Sequence, residues 1–260
     1  FDAVVLAVGA GRARDLPVPG RELAGVHPAM EFLVAANHEC AGDGPTPISA
    51  AGRHVVIVGG GDTGTDCFGT ALRQGARSVT QLDYRPRPPG RRDEDVTPWP
   101  LVPWVLRTAP AHEEGGTRRF EVTVQHFAGS GGRVRTLELA EVDARRAPRG
   151  NTFAIPCDLA LLAVGFEGVQ RGPLLDAFGL VPGGRGTLGC DDHWQTATPG
   201  VFVCGDAHRG ASLVVWAIAE GRAAAHGVDT FLTGESELPA PVRPGSLHLG
   251  FPRFPPRRPG

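Results

Sequence analysis

Short, almost uninterrupted apolar runs recur along the chain, and glycine or a helix-like pattern follows most of them. Such runs are typical of strands that are covered on both faces of a sheet. They predict strands at residues 2–8, 54–58, 77–83, 157–166 and 200–206.

Apolar residues at helical spacing connect several of these strands. The pattern predicts helices around residues 27–39, from the glycines after residue 58 to Gly75, and over residues 212–232. Residues 84–117 are rich in Pro, Arg and Trp. We expect them to form a long excursion from the sheet, with a helical piece near 104–107.

Alternating apolar and polar residues at 119–129 and 132–144 predict an antiparallel hairpin with one exposed face. The sequence of strand, glycine turn, helix and strand around it is the signature of a doubly wound fold. The predicted fold class is therefore α/β, with two Rossmann-like dinucleotide-binding domains of the pyridine nucleotide-disulfide oxidoreductase type.

One sequence pattern occurs twice, as FDAVVLAVGA at residues 1–10 and CDLALLAVGF at residues 157–166. We interpret each copy as the last strand of one nucleotide-binding domain; two unrelated parallel strands are the alternative. The predicted organisation has four parts: a remnant of an FAD-binding domain at 1–34, an inserted NAD(P)-binding domain at 35–165, a return to the first domain at 166–238, and a Pro-rich, disordered tail at 239–260.

Composition narrows the choice of partners. Lys and Arg total 26 and Asp and Glu total 28, so the net charge of −2 gives no electrostatic reason to expect nucleic acid or an anionic membrane as a partner. Neither a membrane-length apolar run nor a signal peptide is evident in the sequence, and none of the five cysteines forms a C-x-x-C pair. We expect a cytoplasmic protein with reduced thiols.

The segment VIVGGGDTG contains the dinucleotide fingerprint G-x-G-x-x-G, placed between a strand and a helix. Gly59 would allow the tight turn, Gly61 the approach of a pyrophosphate, and Gly64 the close packing of helix on strand. The amino end of the helix, at Asp62 and Thr63, would offer N–H groups to the phosphates. A purely structural glycine turn is the alternative reading.

Asp83 ends the next strand, 19 residues after Gly64. This is close to the spacing of the carboxylate that holds a ribose 2′-hydroxyl, which favours NAD. Arg85, Arg87, Arg91 and Arg92 follow at once, and their guanidinium groups could hold the 2′-phosphate of NADP or form a solvated basic loop. The sequence leaves the choice of dinucleotide open.

A second candidate site lies in GVFVCGDAHRGASLVVWAIAEGR. Gly205 would let the chain turn after a strand, and Asp206 would accept a hydrogen bond from a sugar or ribityl hydroxyl. Ser212 is predicted to cap the next helix, whose first N–H groups, near Leu213 and Val214, would face a flavin. A plain strand with a packed helix is the alternative. The histidine spacing predicts no metal site, and no acid, base or nucleophile is assigned.

Six segments, in order, resemble the glutamate synthase small (β) subunit and the homologous region of plant-type NADH-dependent glutamate synthase. They are RDLPVPGRELAGVHPAMEFL, VIVGGGDTGTDC, SVTQLDYRPRPPGRR, PWPLVPWVLRTAPAHEE, DLALLAVGFEG and GVFVCGDAHRGASLVVWAIAEGRAAA.

The resemblance implies a reductase with two dinucleotides. NAD(P)H would bind over the fingerprint with Asp83, Arg85 and Arg91, FAD would lie near Gly9 and the second site, and hydride would pass from the nicotinamide to the flavin. Gly165 is a further candidate for cofactor binding. Electrons would leave through iron–sulfur clusters to the large (α) subunit, which makes glutamate from glutamine and 2-oxoglutarate.

The chain departs from the family pattern at both ends. It lacks the cysteine-rich cluster domain and the first, FAD-binding G-x-G-x-x-G, and we expect it to be a fragment that carries half of the FAD site and none of the clusters. The residues after Arg243 do not resemble the family's ending. Two other functions stay open: a free-standing flavin reductase for another acceptor, and a nucleotide-binding module without turnover.

Overall fold

The computed structural model describes residues 1–99, 101, 103–143, 145 and 147–246. The described chain divides into two compact units, one formed by residues 1–14 and 165–246 and the other by residues 15–164. We call them the outer unit and the inner unit, after the order of their segments along the chain.

The elements alternate between strands and helices. In chain order the strands are β1 (Val4–Leu6), β2 (Arg12–Ala13), β3 (Val26–Pro28), β4 (His54–Val58), β5 (Ser78–Leu82), β6 (Thr117–Arg119), β7 (Val122–Ser130), β8 (Arg133–Val142), β9 (Pro148–Pro156), β10 (Leu159–Leu162), β11 (Phe166–Gly168) and β12 (Val201–Val203). The helices are α1 (Ala29–Ala41), α2 (Asp62–Arg73), α3 (Pro110–Glu113), α4 (Pro173–Ala177), α5 (Asp206–Arg209) and α6 (Val214–Thr233).

The inner unit is built on a five-stranded sheet in the order β3-β10-β4-β5-β6, and every neighbouring pair is parallel. Apolar side chains leave its central strands on both faces. Val55 and Ile57 of β4 pack towards α1 and α2, where Phe32 and Phe68 are fully buried. Val56 joins the opposite cluster. The two covered faces explain why β4 is an unbroken apolar run.

The opposite cluster is closed by a three-stranded antiparallel sheet, β7-β8-β9, which connects β6 to β10. Phe127 and Leu137 of this sheet are fully buried against the parallel sheet. The pairing of β7 with β8 confirms the predicted hairpin. The sequence did not predict β9, because most of its residues are exposed and give no apolar alternation.

The outer unit contains two small sheets. Strands β1 and β12 pair in parallel, with Leu6 opposite Val203, and β2 pairs antiparallel with β11. Leu6 and Val203 are buried with Leu175 of α4 in one core. Val5, however, is 44% exposed, so the expected coverage of β1 on both faces is wrong for the described residues.

Segment 103–109 is not helical, which corrects the predicted helix near residues 104–107. Its backbone groups bond to distant residues: the Leu106 N–H donates to Pro89 O at 2.8 Å, and Arg107 O accepts from Arg118 at 2.9 Å. These contacts replace the i to i−4 ladder that a helix would need. The nearby helix is α3, which begins three residues after Arg107.

The boundary between the units also differs from the expected one at residue 34. Strand β3 pairs with β10, so residues 15–34 lie with the inner unit. At the carboxyl end, Val242 packs beside the buried cluster around Trp194 and Phe202. The expected disorder of residues 247–260 concerns a segment outside the described residues.

Candidate functional site

Backbone atoms restrict two positions of the turn after β4 to glycine. Gly59 has a φ of 131°, and a Cβ placed on it would lie 2.1 Å from Ala163 O. A Cβ on Gly64 would lie 2.3 Å from Gly59 O, so the first turn of α2 rests directly on the glycine turn. Both glycines therefore have the structural roles that the fingerprint predicts.

Gly61 differs from these two glycines because its surroundings are open. It is exposed, and a Cβ placed there would have no neighbour within 4 Å. Helix α2 begins at the next residue, Asp62. The N–H groups of a helix's first turn have no acceptor within the helix, so those of Asp62, Thr63 and Gly64 are suited to bind phosphate oxygens beside Gly61.

Asp83 follows β5 and lies beside this turn. A Cβ on Gly60 would come within 2.0 Å of Asp83 Oδ2, and Asp83 Oδ1 accepts the N–H of Arg85 at 2.9 Å. Strands β4 and β5 are parallel neighbours, so their carboxyl ends bring the glycine turn and the carboxylate together. The sequence prediction did not include Gly60, although its place between Gly59 and Gly61 could have identified it.

Cationic side chains lie on the segments next to Asp83. Burial lowers the pKa of the Arg118 guanidinium, Asp83 raises it and Arg87 lowers it further, so all three charges are within electrostatic reach of one another. Arg85 lies over the ring of Tyr84, 5.3 Å from its centroid. Arg91 is exposed on the segment that follows. Arg118, on β6, was missed because it is distant in sequence.

The buried side chain of Gln81 forms a hydrogen bond to the glycine turn. Gln81 of β5 is 2% exposed, and its Nε2 donates to Gly59 O at 3.0 Å. Its Oε1 lies 3.1 Å from Nε2 of His112 on α3. The sequence prediction missed both residues. A glutamine inside an apolar strand was the available signal for Gln81.

In the outer unit, Gly9 and Gly205 follow two strands that are parallel neighbours. Gly9 lies three residues beyond the end of β1 and has a φ of 71°; Gly205 lies two residues beyond the end of β12 and has a φ of 66°. Both glycines therefore lie just beyond the carboxyl ends of the strands, at the same end of the β1–β12 sheet. Gly165, with a φ of 93°, lies in this unit as well, and its carbonyl accepts the N–H of Arg14 at 2.9 Å.

Asp206 and Ser212 interact directly. Asp206 Oδ1 accepts from the backbone N–H of Ser212 at 3.2 Å and from its hydroxyl at 3.3 Å. Ser212 therefore does not cap α6, which corrects the sequence prediction; the N-cap residue is Leu213. The hydroxyl closes the loop instead. The first residue of α6, Val214, is 71% exposed, so the amino end of the helix is open.

A buried ion pair lies beneath this loop. Glu220 of α6 is fully buried, accepts the Gly205 N–H at 2.9 Å and pairs with Arg209, whose side chain is 5% exposed. The Arg209 guanidinium lies 4.2 Å from the centroid of the Trp216 ring. The sequence offered no signal for Glu220, because a glutamate in a small-residue helix reads as an exposed position.

A parallel sheet whose strand β4 runs into a G-x-G-x-x-G turn and a helix defines a dinucleotide-binding α/β protein. Residues 1–221 match the model of the pyridine nucleotide-disulphide oxidoreductase family, and the chain belongs to that family. The predicted fold class is thereby confirmed.

Similarity to individual proteins extends this result. The chain is 53% identical to the glutamate synthase [NADPH] small chain of Mycobacterium tuberculosis, with 96% of this chain and 53% of the relative covered. It is 38% identical to the small chain of Bacillus subtilis, with 92% and 52% covered. The resemblance found in the sequence motifs is thus confirmed, and the chain spans about half the length of these relatives.

Among solved structures, FprA of Mycobacterium tuberculosis in complex with NADPH has the same fold, with a TM-score of 0.66 and 19% identity. The match covers 90% of this chain and 64% of that one. At this identity the likeness establishes the fold alone. Within the described part of the chain, no helix combines the length and apolar character needed to cross a membrane.

Proposed function

We propose that this chain is the NAD(P)H-oxidising part of a glutamate synthase small subunit, a flavoprotein that supplies electrons for making glutamate from glutamine and 2-oxoglutarate. The observation that carries the proposal is the glycine turn with Asp83 beside Gly60. It occurs in a chain that is 53% identical to a glutamate synthase small chain.

The inner unit binds the nicotinamide dinucleotide in this proposal. The open space at Gly61 admits the pyrophosphate, and the N–H groups at Asp62, Thr63 and Gly64 neutralise it. Asp83 faces the adenosine ribose. We propose NADPH as the dinucleotide, because Arg118 is within electrostatic reach of both Asp83 and Arg87, so that cations at this position offset the carboxylate near a 2′-phosphate, and because the named relatives are NADPH enzymes.

The outer unit supplies half of an FAD site, and its residues fit that cofactor. Gly9 and Gly205 let the backbone turn just beyond the carboxyl ends of β1 and β12, which leaves space for the cofactor. Asp206 offers a carboxylate that can accept a hydrogen bond from a ribityl hydroxyl. The open amino end of α6, at Leu213 and Val214, stabilises negative charge on the flavin ring. When bound, FAD accepts hydride from the nicotinamide and passes the electrons on. This chain's residues bind and orient both cofactors.

The large subunit of glutamate synthase is the proposed partner, with iron–sulfur clusters held outside this chain. The proposed compartment is the cytoplasm, which suits the five free cysteines. Neither nucleic acid nor a membrane enters the proposal.

The test uses the complete small subunit that contains this sequence, purified with its large subunit. We expect NADPH oxidation that depends on glutamine and 2-oxoglutarate, and we expect a Gly61→Val variant to lose it, because the valine side chain occupies the pyrophosphate's place. NADPH oxidation that ignores both substrates would support a free-standing reductase instead. Failure of the unsubstituted chain to bind either dinucleotide would contradict the proposal.

A further inference from the structure

Three hydrogen bonds form a continuous line from α3 to the glycine turn. The Ala109 N–H donates to His112 Nδ1 at 3.1 Å, His112 Nε2 lies 3.1 Å from Gln81 Oε1, and Gln81 Nε2 donates to Gly59 O at 3.0 Å. The two ends of the line are 50 residues apart in the sequence, at positions 59 and 109.

The direction of every bond in this line is fixed by its neighbours. Since Gly59 O can only accept, Gln81 must present its amide nitrogen to it and its carbonyl oxygen to His112. Since the Ala109 N–H can only donate, His112 Nδ1 must accept. The imidazole is therefore neutral with its proton on Nε2, and that proton is donated to Gln81 Oε1.

The surroundings of His112 support this protonation state. Its ring meets Phe68 of α2 edge to face, with centroids 5.2 Å apart. Burial lowers the pKa of His112, and the charge of Arg118 lowers it further. Close packing fixes α3 in place: a Cβ on Gly69 of α2 would lie 3.0 Å from the Ala111 Cβ.

The acceptor at the end of the line is in close contact with the first turn of α2. Gly59 O is the atom that a Cβ on Gly64 would strike, and Gln81 Nε2 would lie 2.8 Å from the same Cβ. The position of this carbonyl therefore sets how closely the first turn of α2 approaches β4. The N–H groups at Asp62, Thr63 and Gly64 move with that turn.

We propose that His112 is a positioning residue for the dinucleotide turn: through Gln81 it holds Gly59 O, and so it aims the amino end of α2 at the pyrophosphate. The proposal rests on the proposed function, since it assumes that NADPH binds at this turn. His112 itself does not touch the dinucleotide. It links the end of the 84–113 segment to the phosphate site.

Two substitutions separate the two hydrogen bonds of the ring. His112→Asn places an oxygen near the position of Nδ1, so it keeps the bond from Ala109 and loses the one to Gln81. His112→Gln places an amide nitrogen near the position of Nε2, so it keeps the bond to Gln81 and loses the local one. His126→Asn, at a partly exposed histidine of β7 that pairs with Glu138, is the control for losing an imidazole.

The experiment is calorimetric titration of NADPH into the full chain and its variants. We expect His112→Asn to raise the Kd about five- to tenfold, as loss of one partly buried hydrogen bond allows. We expect His112→Gln and His126→Asn to keep the Kd of the unsubstituted chain. If His112 only stabilised α3, His112→Gln would be the weaker binder, and that result would overturn the proposal. Unchanged binding by His112→Asn would also overturn it.

A second measurement needs no dinucleotide. Nitrogen NMR of the His112 ring should show a protonated Nε2 and an unprotonated Nδ1, and the Gln81 amide signal should shift in His112→Asn but not in His112→Gln. The opposite tautomer would overturn the proposal. If the unsubstituted chain shows this ring state and still binds neither NADPH nor NADH, the proposed function has failed and the role in positioning fails with it.

Discussion

The contact between Gly60 and Asp83 determines where charge lies in the dinucleotide site. Because a Cβ on Gly60 would come within 2.0 Å of Asp83 Oδ2, only glycine leaves room for the carboxylate beside the turn. The Arg85 N–H holds the other oxygen. In the proposed dinucleotide site this fixes Asp83 beside the adenosine ribose, where it would accept a hydrogen bond from a 2′-hydroxyl and repel a 2′-phosphate.

Asp83→Asn should change the preference between the two dinucleotides. Removing the negative charge while keeping an oxygen acceptor relieves repulsion of the 2′-phosphate, and we expect the affinity for NADPH relative to NADH to rise about tenfold, or ~1.4 kcal/mol. Calorimetric Kd values for both dinucleotides measure it. The control is Asp66→Asn, at an exposed position of α2, because it makes the same change in net charge. A ratio that stays constant or moves towards NADH would contradict this reasoning.

At the scale of elements, α6 is joined to the loop after β12 by charge. Glu220 accepts from the backbone at Gly205 and from Arg209, and the Arg209 guanidinium also donates to Ser246 O at 3.2 Å. The carboxylate therefore stabilises a left-handed glycine and a buried cation at once. A neutral side chain at this position leaves Arg209 without its counter-charge.

Glu220→Ala should destabilise the outer unit by about 3–5 kcal/mol, the usual cost of breaking one side of a buried ion pair. Chemical denaturation of the chain, followed by tryptophan fluorescence, measures the loss, because Trp216, against which Arg209 lies, and Trp194 both report on the outer unit. Glu237→Ala, at an exposed position near the end of the unit, is the matched control. Equal stability of the two variants would show that the pair contributes nothing.

Asp158 lies directly before β10 and connects that strand to β4 and β8 in the inner unit. Its Oδ2 accepts the His54 N–H at the start of β4, at 3.0 Å, and its Oδ1 pairs with Arg135 of β8 at 3.3 Å. The hydrogen bond from His54, with the one from Arg135, holds the pKa of Asp158 below its ordinary value. A carboxylate with a lowered pKa stabilises the fold above the unfolded pKa of about 3.9, and this contribution is lost as the pH falls through the folded pKa.

Asp158→Asn should therefore cost about 1.5–3 kcal/mol of unfolding free energy at pH 7, the range for a hydrogen bond to a charged group. The difference from the unsubstituted chain should shrink as the pH falls below about 4. Urea denaturation at several pH values measures both effects. A difference that is constant with pH would mean that the charge of Asp158 plays no part.

For the whole molecule, the sequence predicted what depends on local pattern. The turn from Gly59 to Gly64 and the position of Asp83 follow from spacing along adjoining elements. The residues that hold these turns in place could not be predicted from spacing. They are Gln81, His112 and Glu220, which act through contacts between distant segments. Segment 103–109 was mispredicted for the same reason, since the Leu106 N–H and the Arg107 carbonyl bond to residues elsewhere in the chain.

The five free cysteines should differ in reactivity across the molecule. Burial raises the pKa of Cys67 and of Cys157 to about 12, whereas Cys40 is exposed on α1. Since the thiolate is the reactive form, we expect iodoacetamide to label Cys40 first in the native chain and all five thiols in denaturant. Mass spectrometry with timed quenching measures the order. Labelling of Cys67 at the rate of Cys40 would contradict the burial.

Strand β10 lies between β3 and β4, although it follows β4 by about a hundred residues. A chain emerging from the ribosome therefore makes β3, β4 and β5 long before it makes the strand that joins the first two. Until residue 162 is available, the facing edges of β3 and β4 have no partner from this sheet. Synthesis thus creates an interval in which the growing chain is open to mispairing, and chaperones that cover strand edges would act during that interval.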